Sequence, residues 1–69
     1  MTALSARNQL SGTVKSVKLG TIMAEVVIDV GGQEIVSAIT KGSVERLGLA
    51  EGDSVTAIIK ATEVLVAKD

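Results

Sequence analysis

Three short stretches of this 69-residue chain concentrate hydrogen-bond donors: Ser5-Ala6-Arg7-Asn8, Thr40-Lys41-Gly42-Ser43 and Lys60-Ala61-Thr62. Arg7 is one of two arginines in the sequence. A guanidinium only donates, and its planar fork grips paired oxygens in a way a lysine does not reproduce. Beside it stand a hydroxyl, an amide side chain and backbone N–H groups. In the second stretch, hydroxyls and unpaired amides fall at an expected helix N-terminus, where negative charge is favoured. In the third, a lysine ends an apolar strand and a kink frees backbone N–H groups. Together these residues offer cations, hydroxyls and amides with no obligatory acceptor. That chemistry suits a fully deprotonated tetrahedral dianion, and it leaves the proton of a monohydrogen phosphate without a partner. Each stretch also has a plainer reading: a solvated charge beside a turn residue at Arg7-Asn8, an ordinary helix cap at Thr40, a snorkelling lysine at Lys60.

The elements that must position these donors are mostly strands. Residues 9–18 read as a first strand rich in Val and Thr, with Gly12 marking a bend or bulge. After a Leu19-Gly20-Thr21 turn, residues 22–30 alternate, with Ile22, Ala24, Val26, Ile28 and Val30 on one face. Gly31-Gly32 is a hairpin signal, because paired glycines accept the positive φ of primed turns. The return strand is 33–39. Thr40 then caps a short helix carrying Val44 and Leu47, which Gly48 ends. Residues 54–60 form a fourth strand, Ala61-Thr62-Glu63 a kink, and Val64–Ala67 a fifth strand. The expected fold is therefore all-β, a five-stranded OB-like barrel with one short helix between strands 3 and 4, as a single domain over residues 1–69.

Composition narrows the function. The chain has no Cys, no His and no aromatic residue. The usual general acids, bases and thiol nucleophiles are thus missing, so no enzyme is expected. Disulfides and ordinary zinc sites are excluded as staples for so small a domain. No acidic loop of the calcium type is present either. Association is the remaining staple, and 46% hydrophobic residues with a mean hydropathy of +0.45 supply surplus apolar surface for it. Single-strand nucleic-acid binders use aromatic platforms in a basic groove; this chain has neither, and its formal net charge is −1. No apolar run reaches membrane-span length and no secretory signal is visible, so a cytoplasmic location is expected.

Several segments carry a wider resemblance: Ser5-Ala6-Arg7-Asn8-Gln9-Leu10 with Gly12, Gly20-Thr21, Ala24-Glu25-Val26, Ala38-Ile39-Thr40 with Ser43, Leu47-Gly48-Leu49 with Gly52, and Ile59-Lys60-Ala61 with Val64. In these the chain resembles the molbindin family of small cytoplasmic molybdate-binding proteins. Their domain is shared with the ligand-binding regions of molybdate transport ATPases and molybdate-responsive regulators. Met23 is a departure, since many relatives carry Asn there. The resemblance implies a hexamer, a trimer of dimers, with molybdate or tungstate bound between subunits. It assigns Ser5, Arg7, Thr40, Ser43, Lys60 and the Ala61 amide to the oxyanion, with no direct metal ligand. Two chains would complete each site, with Arg7 and Lys60 expected from different subunits. No pterin is expected, for want of an aromatic to stack on it. Storage or buffering of the oxyanion is the leading function. An oxyanion-dependent sensory or interaction module acting through a partner protein is the alternative, and the absence of a DNA-binding segment in these 69 residues favours the first.

Overall fold

In the computed structural model, which describes residues 3–69, four strands, one α-helix and one 3-10 turn form. β1 spans Asn8–Leu19, β2 Met23–Val30, β3 Gln33–Thr40, α1 Lys41–Leu47 and β4 Ser54–Ile59, and the 3-10 turn spans Ala61–Glu63. All pairings are antiparallel, in the order β3-β2-β1-β4. β1 is long because it serves two partners. Asn8–Thr13 pair with β4, and Thr13–Leu19 pair with β2.

Alternation along β2 buries Ala24, Val26 and Ile28 against Val14, Val44 and Ala57. The apolar face starts at Ala24 rather than at Ile22, which lies in the preceding turn and is 72% exposed. That turn is closed by the Gly20 N–H donating to the Met23 carbonyl at 2.8 Å. The bond is backbone to backbone, so it asks nothing of the residue 23 side chain.

The irregularity in β1 sits at Lys15 and not at Gly12. Val14 pairs with Ile28 and Ser16 with Val27, so Lys15 is the extra residue of a bulge. Without it, Val17 would face away from the core that Val14 enters, because inward positions recur at even spacing. The bulge turns Val17 back onto the cluster. Gly12 has a different task. A Cβ there would lie 2.5 Å from the Asp29 carbonyl oxygen and 2.8 Å from Ile28 Cγ2, so β1 folds over the end of β2 with no room for a side chain.

The Gly31-Gly32 turn has φ of 59° and 89°, as a primed hairpin turn needs. The Gly32 N–H also donates to Asp29 Oδ1. α1 is capped by Thr40, whose side-chain oxygen accepts from the Ser43 N–H at 3.1 Å, and Gly48 ends it in the left-handed conformation. Its single buried side chain, Val44, plugs one end of the sheet. On the surface, Lys15 pairs with Glu34. Glu34's hydrogen bond, and then its charge, hold the Lys15 ammonium above its ordinary value of 10.5. A raised value means that the pair contributes fully below that range and is lost as the pH climbs through it. The pair is solvent-exposed and adds little.

The fifth strand is the difference between expectation and structure. Val64–Asp69 carry no strand pairing, and the sheet stays open between β3 and β4. The 3-10 turn carries the chain away from β4, and Leu65 and Val66 are 94% and 92% exposed. Between the two open edges lies an apolar cavity of about 470 Å³, lined by Val14, Val26, Ile35, Ile39, Val55 and Ile58 among others. The chain exposes 5409 Å², whereas area scaling gives roughly 4,000 Å² for a compact monomer of this mass.

Candidate functional site

The antiparallel pairing of β1 with β4 decides what surrounds Arg7. Asn8 stands opposite Ile59, so the residues just before β1 and just after β4 are neighbours. Ser5, Ala6 and Arg7 form one wall of a cavity of about 570 Å³, and Lys60, Ala61 and Thr62 form the other, with Ile58 between them. Two of the three donor stretches thus meet within one chain. Arg7 and Lys60 share this cavity, which differs from the expectation that they come from different subunits.

No carboxylate lines the cavity. Among the described residues neither Arg7 nor Lys60 has an acidic partner, the recorded ion pair being Lys15–Glu34. Both side chains lie on exposed residues, so positive charge faces an open cleft. Backbone donors reinforce it. Ala61 and Thr62 open the 3-10 turn, whose first N–H groups have no partner within the turn. Among the described residues, no backbone carbonyl accepts from the N–H of Ala6, Arg7, Ala61 or Thr62.

Thr40 and Ser43 are not part of this cavity. Thr40 pairs with Met23 at the start of β2, next to the Leu19 end of β1, whereas Arg7 precedes the Asn8 end. The two clusters thus lie at opposite ends of the 12-residue β1. Within the second cluster the hydroxyls satisfy each other. Thr40 Oγ1 bonds Ser43 Oγ at 2.9 Å while accepting from the Ser43 N–H, leaving one hydroxyl proton of the pair unspent. Capping is therefore a main task of Thr40. Thr40→Ala is expected to lower stability by about 1 kcal/mol, and Ser43→Ala by less, as read from melting followed by circular dichroism.

Two side chains next to the first cavity, Asn8 of the first donor stretch and Gln9 after it, turn their donors onto backbone carbonyls. Asn8 Nδ2 donates to the Ile59 carbonyl at 3.1 Å, and Gln9 Nε2 donates to the Ala6 carbonyl at 2.8 Å. The available signal was local: a Gln three residues after a non-strand carbonyl is placed to bond back to it. Among the described residues there is no group of three or more His, Cys, Asp or Glu able to hold a bare metal ion. Among the described residues no helix is long and apolar enough to cross a membrane.

An open antiparallel sheet carrying a cationic cleft without carboxylates at one strand end defines a small anion-binding β-domain. The chain belongs to the TOBE domain family, which matches residues 4–66. It is 51% identical over 65 residues to molybdenum-pterin-binding protein 1 of Clostridium pasteurianum, covering 93% of this chain and 96% of that one. Its fold matches that of a molybdate-binding protein from Sporomusa ovata with a TM-score of 0.94 at 51% identity, over 97% of this chain and all of that one. The cytoplasmic molybdate-binding protein ModG, solved with molybdate bound, matches with a TM-score of 0.84 at 51% identity, over 87% of this chain and 43% of that one.

Proposed function

We propose that this chain is a single cytoplasmic domain that binds and buffers molybdate, or tungstate, as the intact oxyanion, and that it is not an enzyme. The observation that carries this reading is the cleft that Arg7 and Lys60 share, with free backbone amides and no carboxylate. A tetrahedral dianion needs several converging donors, and charge-assisted bonds are the strong ones. The likeness to molybdate-binding proteins at 51% identity supports the choice of anion. The cationic lining and the lack of any aromatic side chain favour the oxyanion alone over a pterin. Titration with sodium molybdate tests the reading. Saturable binding that tungstate displaces is expected, and absence of heat or of retained metal would sink it.

The site on this reading is shared between two chains. Ser5, Arg7, Lys60 and the Ala61 amide come from one chain, and Thr40 and Ser43 from another. Their placement at opposite ends of β1 supports that division. The barrel is completed in the same way. Val64–Ala67 of one copy lies as a fifth strand between β3 and β4 of another, in a hexamer built as a trimer of dimers. The unpaired edges, the apolar groove between them and the near-total exposure of Leu65 and Val66 support this arrangement. The double substitution Leu65→Asp/Val66→Asp is expected to reduce the sedimenting species to smaller units. An unchanged hexamer would rule the strand exchange out.

A further inference from the structure

We infer that the side-chain amides of Asn8 and Gln9 are positioning residues that hold backbone carbonyls away from the anion cleft and thereby set its selectivity. The inference rests on the oxyanion reading above. A peptide unit is a rigid trans plane, in which the carbonyl of one residue and the N–H of the next point in opposite directions. Gln9 Nε2 holds the Ala6 carbonyl at 2.8 Å, and this fixes the direction of the Arg7 N–H. Asn8 Nδ2 adds a second bond, at 3.1 Å, to the Ile59 carbonyl that the β1–β4 ladder already engages, and this braces the Lys60 N–H. Both peptide units border the cleft, since Ala6, Arg7 and Lys60 line it. Each amide thus consumes an acceptor on the rim while orienting a donor on the same plane. A neutral amide does this without adding charge beside the anion.

Two effects follow if a rim carbonyl is released. Its oxygen presents the negative end of a dipole to a dianion, and it offers an acceptor to a protonated anion. Molybdate binding weakens, and discrimination against monohydrogen phosphate weakens with it. A purely structural role would change the affinities for both anions together and leave their ratio alone.

Gln9→Met keeps the length and apolar stem of the side chain and removes its donor. The test is calorimetric titration with sodium molybdate, with and without competing inorganic phosphate, at a pH where the monohydrogen form dominates. Arg7→Ala is measured alongside. Gln9→Met is expected to weaken molybdate binding by about threefold to tenfold, in keeping with one neutral hydrogen bond. The molybdate-to-phosphate affinity ratio is expected to fall with it. If Arg7→Ala weakens binding while Gln9→Met leaves the ratio unchanged, the inference is overturned and the oxyanion reading stands. If Arg7→Ala leaves molybdate binding intact, the reading fails and the inference with it. Should Gln9→Met not fold, as judged by circular dichroism, Gln9→Leu carries the same test at the Ala6 carbonyl.

Discussion

Arg7→Ala and Lys60→Ala are each expected to weaken molybdate binding by about tenfold to a hundredfold while the fold is retained. Each substitution removes a charge-assisted bond contributing roughly 1.5–3 kcal/mol. Both residues are exposed at the ends of β1 and β4, outside the cluster of Val14, Val26 and Val44 that holds the sheet together. Lys60→Arg restores binding only in part, because a planar fork does not reproduce the donor geometry of an ammonium. Subunit exchange then distinguishes the arrangements. Arg7 and Lys60 line one cavity of one chain, so mixing the two alanine variants is expected to recover nothing. Mixing Arg7→Ala with a Thr40→Ala/Ser43→Ala protein is expected to recover tight sites, because some interfaces then join two intact halves. Titration of the exchanged mixtures measures both. Recovery in the first mixture would place the two cations on different chains and refute the one-chain cleft.

Gly12→Ala is expected to be the most damaging substitution of a single small residue. The added carbon would meet the Asp29 carbonyl oxygen at 2.5 Å, Ile28 Cγ2 at 2.8 Å and Val30 Cγ2 at 3.0 Å. The first of these is backbone within the β1–β2 ladder and cannot rotate away. Overpacking of this kind costs about 1–3 kcal/mol, which for a domain of this size lowers the melting temperature by on the order of 10 °C. Gly31→Ala is the control. It has open space around it but a φ of 59°, so it carries only the cost of a left-handed backbone, about 1 kcal/mol. Melting is followed by far-ultraviolet circular dichroism at fixed protein concentration. Equal losses for the two variants would show that β1 and β2 do not approach so closely at Gly12.

The features that the sequence revealed are those whose causes are local. Alternation over Ala24–Ile28, the glycine pair at the hairpin and Gly48 after Leu47 each act through neighbours in the chain, and each element formed where they pointed. Val64–Ala67 has the same strand-like composition, yet no strand forms there. A strand exists only with a partner edge, and β4 is followed by a turn that leads away from one. The meeting of Arg7 with Lys60 was within reach of sequence reasoning, because an OB order sets the start of strand 1 beside the end of strand 4. The bond from Gln9 to Ala6 has a local signal in its spacing, whereas that from Asn8 to Ile59 depends on the register of β1 against β4, a non-local choice.

The two donor clusters lie at opposite ends of β1, and on the two-chain reading this makes the anion a ligand of the association equilibrium. A site assembled from halves exists only in the joined state, so anion and partner chain favour one another by mass action. At a free anion concentration a hundred times the dissociation constant, each site adds about 2.7 kcal/mol to the joined state. Dilution of the protein then lowers its apparent affinity, and scarcity of the anion loosens the assembly. The open edges of β3 and β4 become exposed under those same conditions. A chain built this way responds to the product of two concentrations, its own and that of its cargo.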